Sequence, residues 1–160
     1  MADSIQDYDQ VSKDIINLKS QIREKVDEAT IASEQGNDEG LSKALNSLAR
    51  INSGLGQKAA MAKYVSRLAA RALEKLKEEK KTKRSEKTLE YSKTQAVGKS
   101  EHQARVDTAH METEIDEFFK TSNLAMLLAD EADDLTYRTD TFLKMGQSRL
   151  SLLKGDKHRG

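Results

Sequence analysis

The chain has 160 residues and a formal net charge of zero, with 34% charged and 36% hydrophobic residues and no proline, cysteine or tryptophan. This composition excludes a disulfide framework and a cysteine-based zinc site, and the lack of the strongest helix breaker predicts an all-α fold. Because the sequence has neither a cleavable signal pattern nor an apolar run of spanning length, we expect a cytoplasmic protein without membrane contact.

Residues 1–52 are predicted to form an N-terminal pair of amphipathic helices. In the first helix, apolar residues recur at three- and four-residue steps and so share one face; they are Val11, Ile15, Leu18, Ile22 and Val26 or Ala29. Residues 33–40 (SEQGNDEG) have loop-forming composition and end this helix. A short second helix carries Leu41, Leu45, Leu48 and Ile51, and the glycines of residues 52–56 (NSGLG) predict a C-cap and a hinge after it.

A third helix is predicted from about Lys58, and its apolar residues form a heptad seam of Ala62, Val65, Ala69, Ala72 and Leu76. The next apolar residue is Leu89, so the helix continues beyond the part that can pack. This extension includes residues 75–87 (KLKEEKKTKRSEK), of which seven are Lys or Arg. We call residues 75–99 the basic segment. Its cations are expected to lie in solvent or against a partner, and residues 92–100 are predicted to form a turn.

The last helical stretch is predicted from about Glu101 to Lys154. Its stripe has the same three/four alternation, which predicts a left-handed supercoil; the members are Ala125, Leu128, Ala132, Leu135, Thr139, Phe142, Gly146 and Leu153, with Leu150 in place of Arg149. Small residues on this stripe favour the close approach of another helix. Residues 120–123 (KTSN) could break the stretch in two, and residues 155–160 are expected to fray.

The predicted architecture is a helical bundle or coiled coil forming one domain, with residues 58–154 contributing the basic helix, the turn and the long C-terminal helix. Seams of two to four turns bury little apolar surface within one chain. We therefore expect a homo-oligomer, in which the basic segments of several subunits lie near one another and bind a polyanion together.

The charges are unevenly distributed along the chain. Residues 58–105 contain fourteen basic and six acidic residues, whereas residues 1–57 contain six and ten and residues 106–160 contain seven and eleven. Such asymmetry is typical either of a polyanion-binding segment or of packing between acidic and basic parts.

No combination of residues predicts catalysis, a metal or a cofactor. His110 has Asp107 and Glu114 at helical spacing, but a di-iron bundle needs two Glu-x-x-His motifs and two further Glu. The sequence also lacks a glycine-rich phosphate loop and a Gly-x-Ser-x-Gly motif. We predict a protein that is not an enzyme.

The basic segment is a candidate site for single-stranded nucleic acid. Its cations outnumber its carboxylates where the seam has ended, and phosphate contacts confer affinity with little sequence preference; these cations are Lys80, Lys81, Lys83, Arg84, Lys87 and Lys93. Tyr91 could stack on an unpaired base, as could Tyr64 unless it belongs to the core. The alternative interpretation of such a run is a solvated helix face with i,i+4 ion pairs.

Three features follow one another along the chain: a helix that ends in dense Lys and Arg, a turn with Lys99, Ser100 and Glu101, and a long C-terminal helix that closes in residues 147–154 (QSRLSLLK). In this order they resemble the bacteriophage recombination mediator family of the UvsY type. The resemblance covers roughly residues 58–154. It implies a ring-like homo-oligomer that binds single-stranded DNA and helps a RecA-like recombinase replace a single-strand-binding protein. It also implies that Lys75 and Lys77 are the DNA-contacting pair and adds Lys99 to the candidate site. The N-terminal helical pair departs from the family pattern.

A helical scaffold or adapter is the competing hypothesis. In that case the basic segment would pack against acidic helices of a neighbouring subunit, and the net neutrality of the chain favours this arrangement. In the mediator interpretation, by contrast, the acidic residues of the C-terminal helix could face a partner protein instead of DNA, or they form a solvated helix face; they are Asp130, Glu131, Asp133 and Asp134.

Overall fold

The computed structural model of the chain describes the backbone of residues 2–159 and the side chains of residues 6–156. Within residues 2–159 there are four α-helices and no strand, which confirms the all-α prediction. The helices are α1 (Ala2–Glu34), α2 (Asp38–Ser92), α3 (Val97–Thr108) and α4 (Met111–Arg159). They form two compact units, one comprising Met1–Tyr8 and Tyr64–Ala125 and the other comprising Asp9–Lys63 and Met126–Gly160.

The loop predicted at residues 33–40 is confirmed as a tight turn between α1 and α2. The N–H of Asn37 donates to the Ala32 carbonyl and that of Gly36 to the Ser33 carbonyl, which is the hydrogen-bond pattern of a Schellman motif. Gly36 adopts φ +65°, in the left-handed region that glycine enters without steric cost. The Asn37 side chain then accepts a hydrogen bond from the Gly40 N–H at 2.9 Å and caps α2.

The hinge predicted at residues 52–56 is wrong, because α2 runs without a break through both glycines. Most of its buried positions follow one uninterrupted heptad pattern; they are Leu41, Leu45, Leu48, Asn52, Leu55, Ala59, Ala62, Ser66, Ala69, Leu73 and Leu76, and Ala44 and Val65 are buried beside it. A glycine inside a helix costs about 1 kcal/mol relative to alanine. Burying Leu55 completely stabilises by about 1.5–3 kcal/mol, so packing outweighs the local preference for a cap.

The unit formed by residues 9–63 and 126–160 holds the larger apolar core, to which α1, α2 and α4 all contribute. The predicted stripe of α1 is confirmed, because its members are either buried in this core or packed against it. A Cβ added at Gly146 would lie 2.5 Å from Cδ2 of Leu45, so the small residue of the α4 stripe does admit another helix. Asn52 is buried in the same seam and donates to the Thr136 carbonyl at 3.2 Å and to Asp140 Oδ1 at 2.8 Å.

The other unit has a smaller core between α2 and the beginning of α4, formed by Ala69, Leu73, Leu76, Met111 and Phe118. Nearby, Ser66 and Ser122 join the same two helices through reciprocal bonds. The Ser66 hydroxyl donates to the Ser122 carbonyl at 2.8 Å, and the Ser122 hydroxyl donates to the Ser66 carbonyl at 3.1 Å.

The single helix predicted from Glu101 to Lys154 is also corrected. The chain breaks at Ala109 and His110, between α3 and α4, and not at residues 120–123. The polar residues at 121 and 122 lie inside α4 and contribute to packing: Thr121 is buried, and the Ser122 hydroxyl donates a hydrogen bond to the Ser66 carbonyl of α2. The helix α4 continues to Arg159, beyond the start of the predicted frayed tail; the side chains of residues 157–160 lie outside the described part of the chain.

Candidate nucleic-acid interface

The basic segment occupies the C-terminal half of α2, the four-residue connection that follows, and the first turn of α3. The predicted turn of residues 92–100 is shorter than expected, because α3 begins at Val97. Lys99 and Glu101 therefore lie on a helix, whereas Lys93 lies in the connection. All of these residues belong to the unit that contains residues 64–125.

Helix α3 has a buried face made of small residues and no apolar stripe. This face consists of Ser100, Ala104 and Thr108, at four-residue spacing. Each hydroxyl is satisfied within its own helix, since Ser100 donates to the Val97 carbonyl at 2.7 Å and Thr108 to the Ala104 carbonyl at 3.0 Å. Small, internally bonded side chains let the α3 backbone approach its neighbour closely without leaving an unpaired polar group.

Four of the predicted binding cations form ion pairs within the unit. Lys80 Nζ donates to Glu112 Oε1 at 2.6 Å, and only 23% of the Lys80 side chain is exposed. The other three pair with neighbours on α2: Lys77 with Glu74 at 3.0 Å, Lys87 with Glu90 at 3.2 Å and Lys75 with Glu79 at 4.0 Å. Lys75, Lys77 and Lys87 therefore pair along their own helix, as the interpretation of a solvated helix face expects. Lys80 differs from the expectation, because it is mostly buried and links α2 to α4.

The pKa directions agree with this pairing. The hydrogen bond from Lys80 lowers the pKa of Glu112 below its ordinary value. In the same way, the hydrogen bond to Glu90 raises the pKa of Lys87, which holds that ammonium in its charged form. Both shifts favour the ionised pair.

Five predicted cations form no ion pair within the described side chains: Lys81, Lys83, Arg84, Lys93 and Lys99. Four of them are exposed, whereas Arg84 is half-buried. Without a carboxylate partner, the N–H donors of Arg84 are available to an anionic ligand.

Two of these free cations line a shallow groove between α2 and α3. The groove has a volume of about 550 Å³ and is lined by Lys81, Arg84, Ser85, Thr88, Leu89 and Glu101. We call it the α2–α3 groove. Lys81 and Arg84 are three residues apart and so lie on one face of α2, where a guanidinium and an ammonium can contact neighbouring oxygens of a phosphate chain.

The structure gives Tyr91 a contact that sequence analysis did not anticipate. Its hydroxyl donates a hydrogen bond to Asp107 Oδ2 and so ties the end of α2 to α3. This bond lowers the pKa of Asp107 and raises that of Tyr91. Lys87 Nζ also lies 5.9 Å from the centroid of the Tyr91 ring, so the ring has an internal cation beside it. Tyr64, which was a possible core residue, is exposed.

The acidic residues predicted to face a partner mostly have partners within the chain. In the unit of residues 9–63 and 126–160, Glu131 pairs with Lys19 at 2.7 Å and Asp133 pairs with Lys63. Asp134 pairs with Arg138 on its own helix. Asp130 is exposed.

Sequence analysis missed the groove because it missed α3 as a packing element. Ser85, Thr88 and Leu89 line the groove from α2, and Glu101 lines it from α3. The signal that could have revealed α3 is the four-residue repeat of small side chains at Ser100, Ala104 and Thr108, which an apolar periodicity does not detect.

Other kinds of site find little support in the described residues. Among the side chains of residues 6–156, no group of three His, Cys, Asp or Glu gathers in a way that could hold a metal ion. His110 instead places Nδ1 3.0 Å from the Asp107 carbonyl oxygen, at the break between α3 and α4. None of the helices in the described part has a stretch both long and apolar enough to cross a membrane.

Comparison with known proteins adds no assignment: no protein-family model, curated protein or solved structure matches this chain.

Proposed function

We propose that the chain is a non-enzymatic protein that binds single-stranded DNA through the free cations of the basic segment. The observation that carries this proposal is that Arg84 and Lys81, neither of which forms an ion pair among the described side chains, lie next to each other in the lining of the α2–α3 groove. Arg suits phosphate because its planar donor fork binds two oxygens at once. Lys83, Lys93 and Lys99 add charge along the same segment.

A single strand fits this geometry better than a duplex. Proteins that read duplex DNA insert a convex helix or ribbon into the major groove. Here two of the cations line a concave groove beside an apolar side chain, Leu89, of which 68% is exposed. A groove of this kind accepts an extended backbone whose unstacked bases lie against protein.

The specific activity that we propose is recombination mediation, in which the protein helps a RecA-like recombinase replace a single-strand-binding protein. This step requires no catalytic residue, since strand transfer between two binding proteins depends on competing affinities. A homo-oligomer would raise the effective concentration of weak phosphate contacts along one strand. The resemblance of residues 58–154 to the mediator family supports this activity.

Anisotropy of a labelled single-stranded oligonucleotide tests DNA binding. The variant Lys81→Ala/Lys83→Ala/Arg84→Ala should bind more weakly than the wild type. If each cation neutralises one phosphate, the slope of log affinity against log salt should fall by about 2. Lys75→Ala/Lys77→Ala tests the pair that the family resemblance implies, and Lys144→Ala/Lys154→Ala removes exposed charge from α4 as the control.

The absence of binding at low ionic strength, or wild-type binding by the triple variant, would refute the proposal. Mediation has its own readout, which is the lag before a RecA-like recombinase hydrolyses ATP on DNA coated with a single-strand-binding protein. The wild-type chain should shorten this lag and the triple variant should not.

The ion pairs between helices favour a second candidate function, that of a helical scaffold. Lys80–Glu112 joins the basic α2 to the acidic α4 in one unit, and Lys19–Glu131 joins α1 to α4 in the other. If the free cations continue this pairing between subunits, the triple variant should dissociate the oligomer. Light scattering coupled to size-exclusion chromatography measures this directly, and unchanged mass with lost DNA binding would reject the scaffold.

A further inference from the structure

The α2–α3 groove contains an acceptor that phosphate binding does not explain. Glu101 lines it opposite Lys81 and Arg84, yet its carboxylate forms no ion pair with either cation. The Glu101 side chain is exposed and lies on α3, one residue beyond the buried Ser100 that positions this helix. In a site that attracts a polyanion, a free carboxylate opposes binding unless the ligand also brings a hydrogen-bond donor.

The two hydroxyl groups that line the groove are hydrogen-bond acceptors toward a ligand, as the Glu101 carboxylate is. Ser85 donates its proton to the Lys81 carbonyl at 3.0 Å, and Thr88 donates to the Arg84 carbonyl at 2.8 Å. Each hydroxyl oxygen is therefore left with acceptor capacity only. The groove thus combines cations for an anion with three acceptors for N–H groups.

Nucleotides carry both kinds of group, but not all of them equally. Cytosine, adenine and guanine have an exocyclic amine, whereas the one N–H donor on the exposed edge of thymine, N3–H, lies between two carbonyl oxygens that a carboxylate repels. In single strands the edge of the base is accessible, and proteins read it through hydrogen bonds. Glutamate accepting from the cytosine amine is an established direct contact in DNA recognition.

We propose that Glu101 makes the α2–α3 groove selective for bases that bear an exocyclic amine, so that the protein prefers cytosine over thymine in single-stranded DNA. Phosphates contact Lys81 and Arg84, the base lies against Leu89, and its amine donates to Glu101. This inference rests on the proposed DNA-binding function and departs from the expectation of little sequence preference.

Binding of oligo(dC) and oligo(dT) of equal length tests the proposal, because the two pyrimidines match in size and differ at the amine. The wild type should bind oligo(dC) about three- to tenfold more tightly than oligo(dT), a modest ratio because the contact is single and solvent-exposed. Glu101→Gln keeps the shape, and its amide can donate to the thymine carbonyl. The ratio should fall to about one or invert.

Glu86→Gln is the matched control. Glu86 is an exposed carboxylate on α2 that does not line the groove, and its removal changes the charge of the basic segment by the same amount. Glu86→Gln should bind both oligonucleotides more tightly by the same factor through simple electrostatics. Glu101→Gln should strengthen oligo(dT) binding but not oligo(dC) binding to the same extent, so only this variant should change the preference.

The outcomes separate this inference from the function on which it rests. Equal wild-type affinity for the two oligonucleotides, or a preference that Glu101→Gln leaves intact, overturns base selection while DNA binding stands. A preference lost equally in Glu86→Gln assigns it to net charge and also overturns the inference. If neither oligonucleotide binds at low salt, both proposals fail.

Discussion

Replacing Gly146 by alanine tests the close approach of α4 to α2. A Cβ at this position would lie 2.5 Å from Cδ2 and 3.0 Å from Cδ1 of Leu45. Carbon atoms prefer separations of about 3.5–4.0 Å, so one of the two side chains must move. Leu45 is only 4% exposed and belongs to the larger core, so its side chain has to move against packed neighbours.

The expected magnitude follows from two opposing terms. Overpacking a filled core costs about 1–3 kcal/mol, and alanine gains about 1 kcal/mol over glycine inside a helix. Gly146→Ala should therefore lower the free energy of unfolding by up to about 2 kcal/mol. A Cβ at Gly56 would meet nothing within 4 Å, so Gly56→Ala should raise that free energy by about 1 kcal/mol.

Urea unfolding followed by far-UV circular dichroism measures both changes, at one protein concentration because self-association shifts the midpoint. A double-mutant cycle with Leu45→Ala isolates the contact, since removal of the leucine branch makes room for the new methyl group. In that background Gly146→Ala should become neutral or stabilising. If Gly146→Ala stabilises the wild-type chain as much as Gly56→Ala does, α2 and α4 do not approach as described.

Two further predictions concern polar groups. Asn52→Asp replaces an amide that donates to Asp140 with a buried carboxylate, so it should lower the free energy of unfolding in urea by about 3 kcal/mol at neutral pH. The lost stability should return in acid, where the new carboxylate is protonated. Wild-type stability at neutral pH would contradict the described contact. The hydrogen bond from Lys58 holds the pKa of Asp14 below its ordinary 3.8, so this pair stabilises the fold above that pH and the stabilisation is lost as pH falls through the lower, folded value. Asp14→Asn should lower Tm at neutral pH by an amount that shrinks in acid, and a pH-independent difference would exclude the ion pair as its cause.

The helical class and the packing stripes follow from the sequence alone. Helix propensity and the three/four spacing of apolar residues are local properties, so Val11, Ile15 and Ile22 of α1 and Ala125 and Ala132 of α4 were assigned correctly to buried faces. The turn at Gly36 was equally readable, because a left-handed residue and an Asn cap are encoded within a few positions.

Tertiary packing decided the rest. Residues 52–56 carry a strong local signal for a helix end, but the burial of Leu55 and the contacts of Asn52 with α4 keep α2 continuous. Helix α3 packs through small hydroxyl-bearing residues that hydrophobic periodicity does not register. Which cations of the basic segment remain free depends on which carboxylates other helices bring near. Lys80 pairs with Glu112, which is thirty-two residues away in the chain, whereas Arg84 pairs with no carboxylate in the described part of the chain. A local sequence pattern cannot predict a contact over that separation.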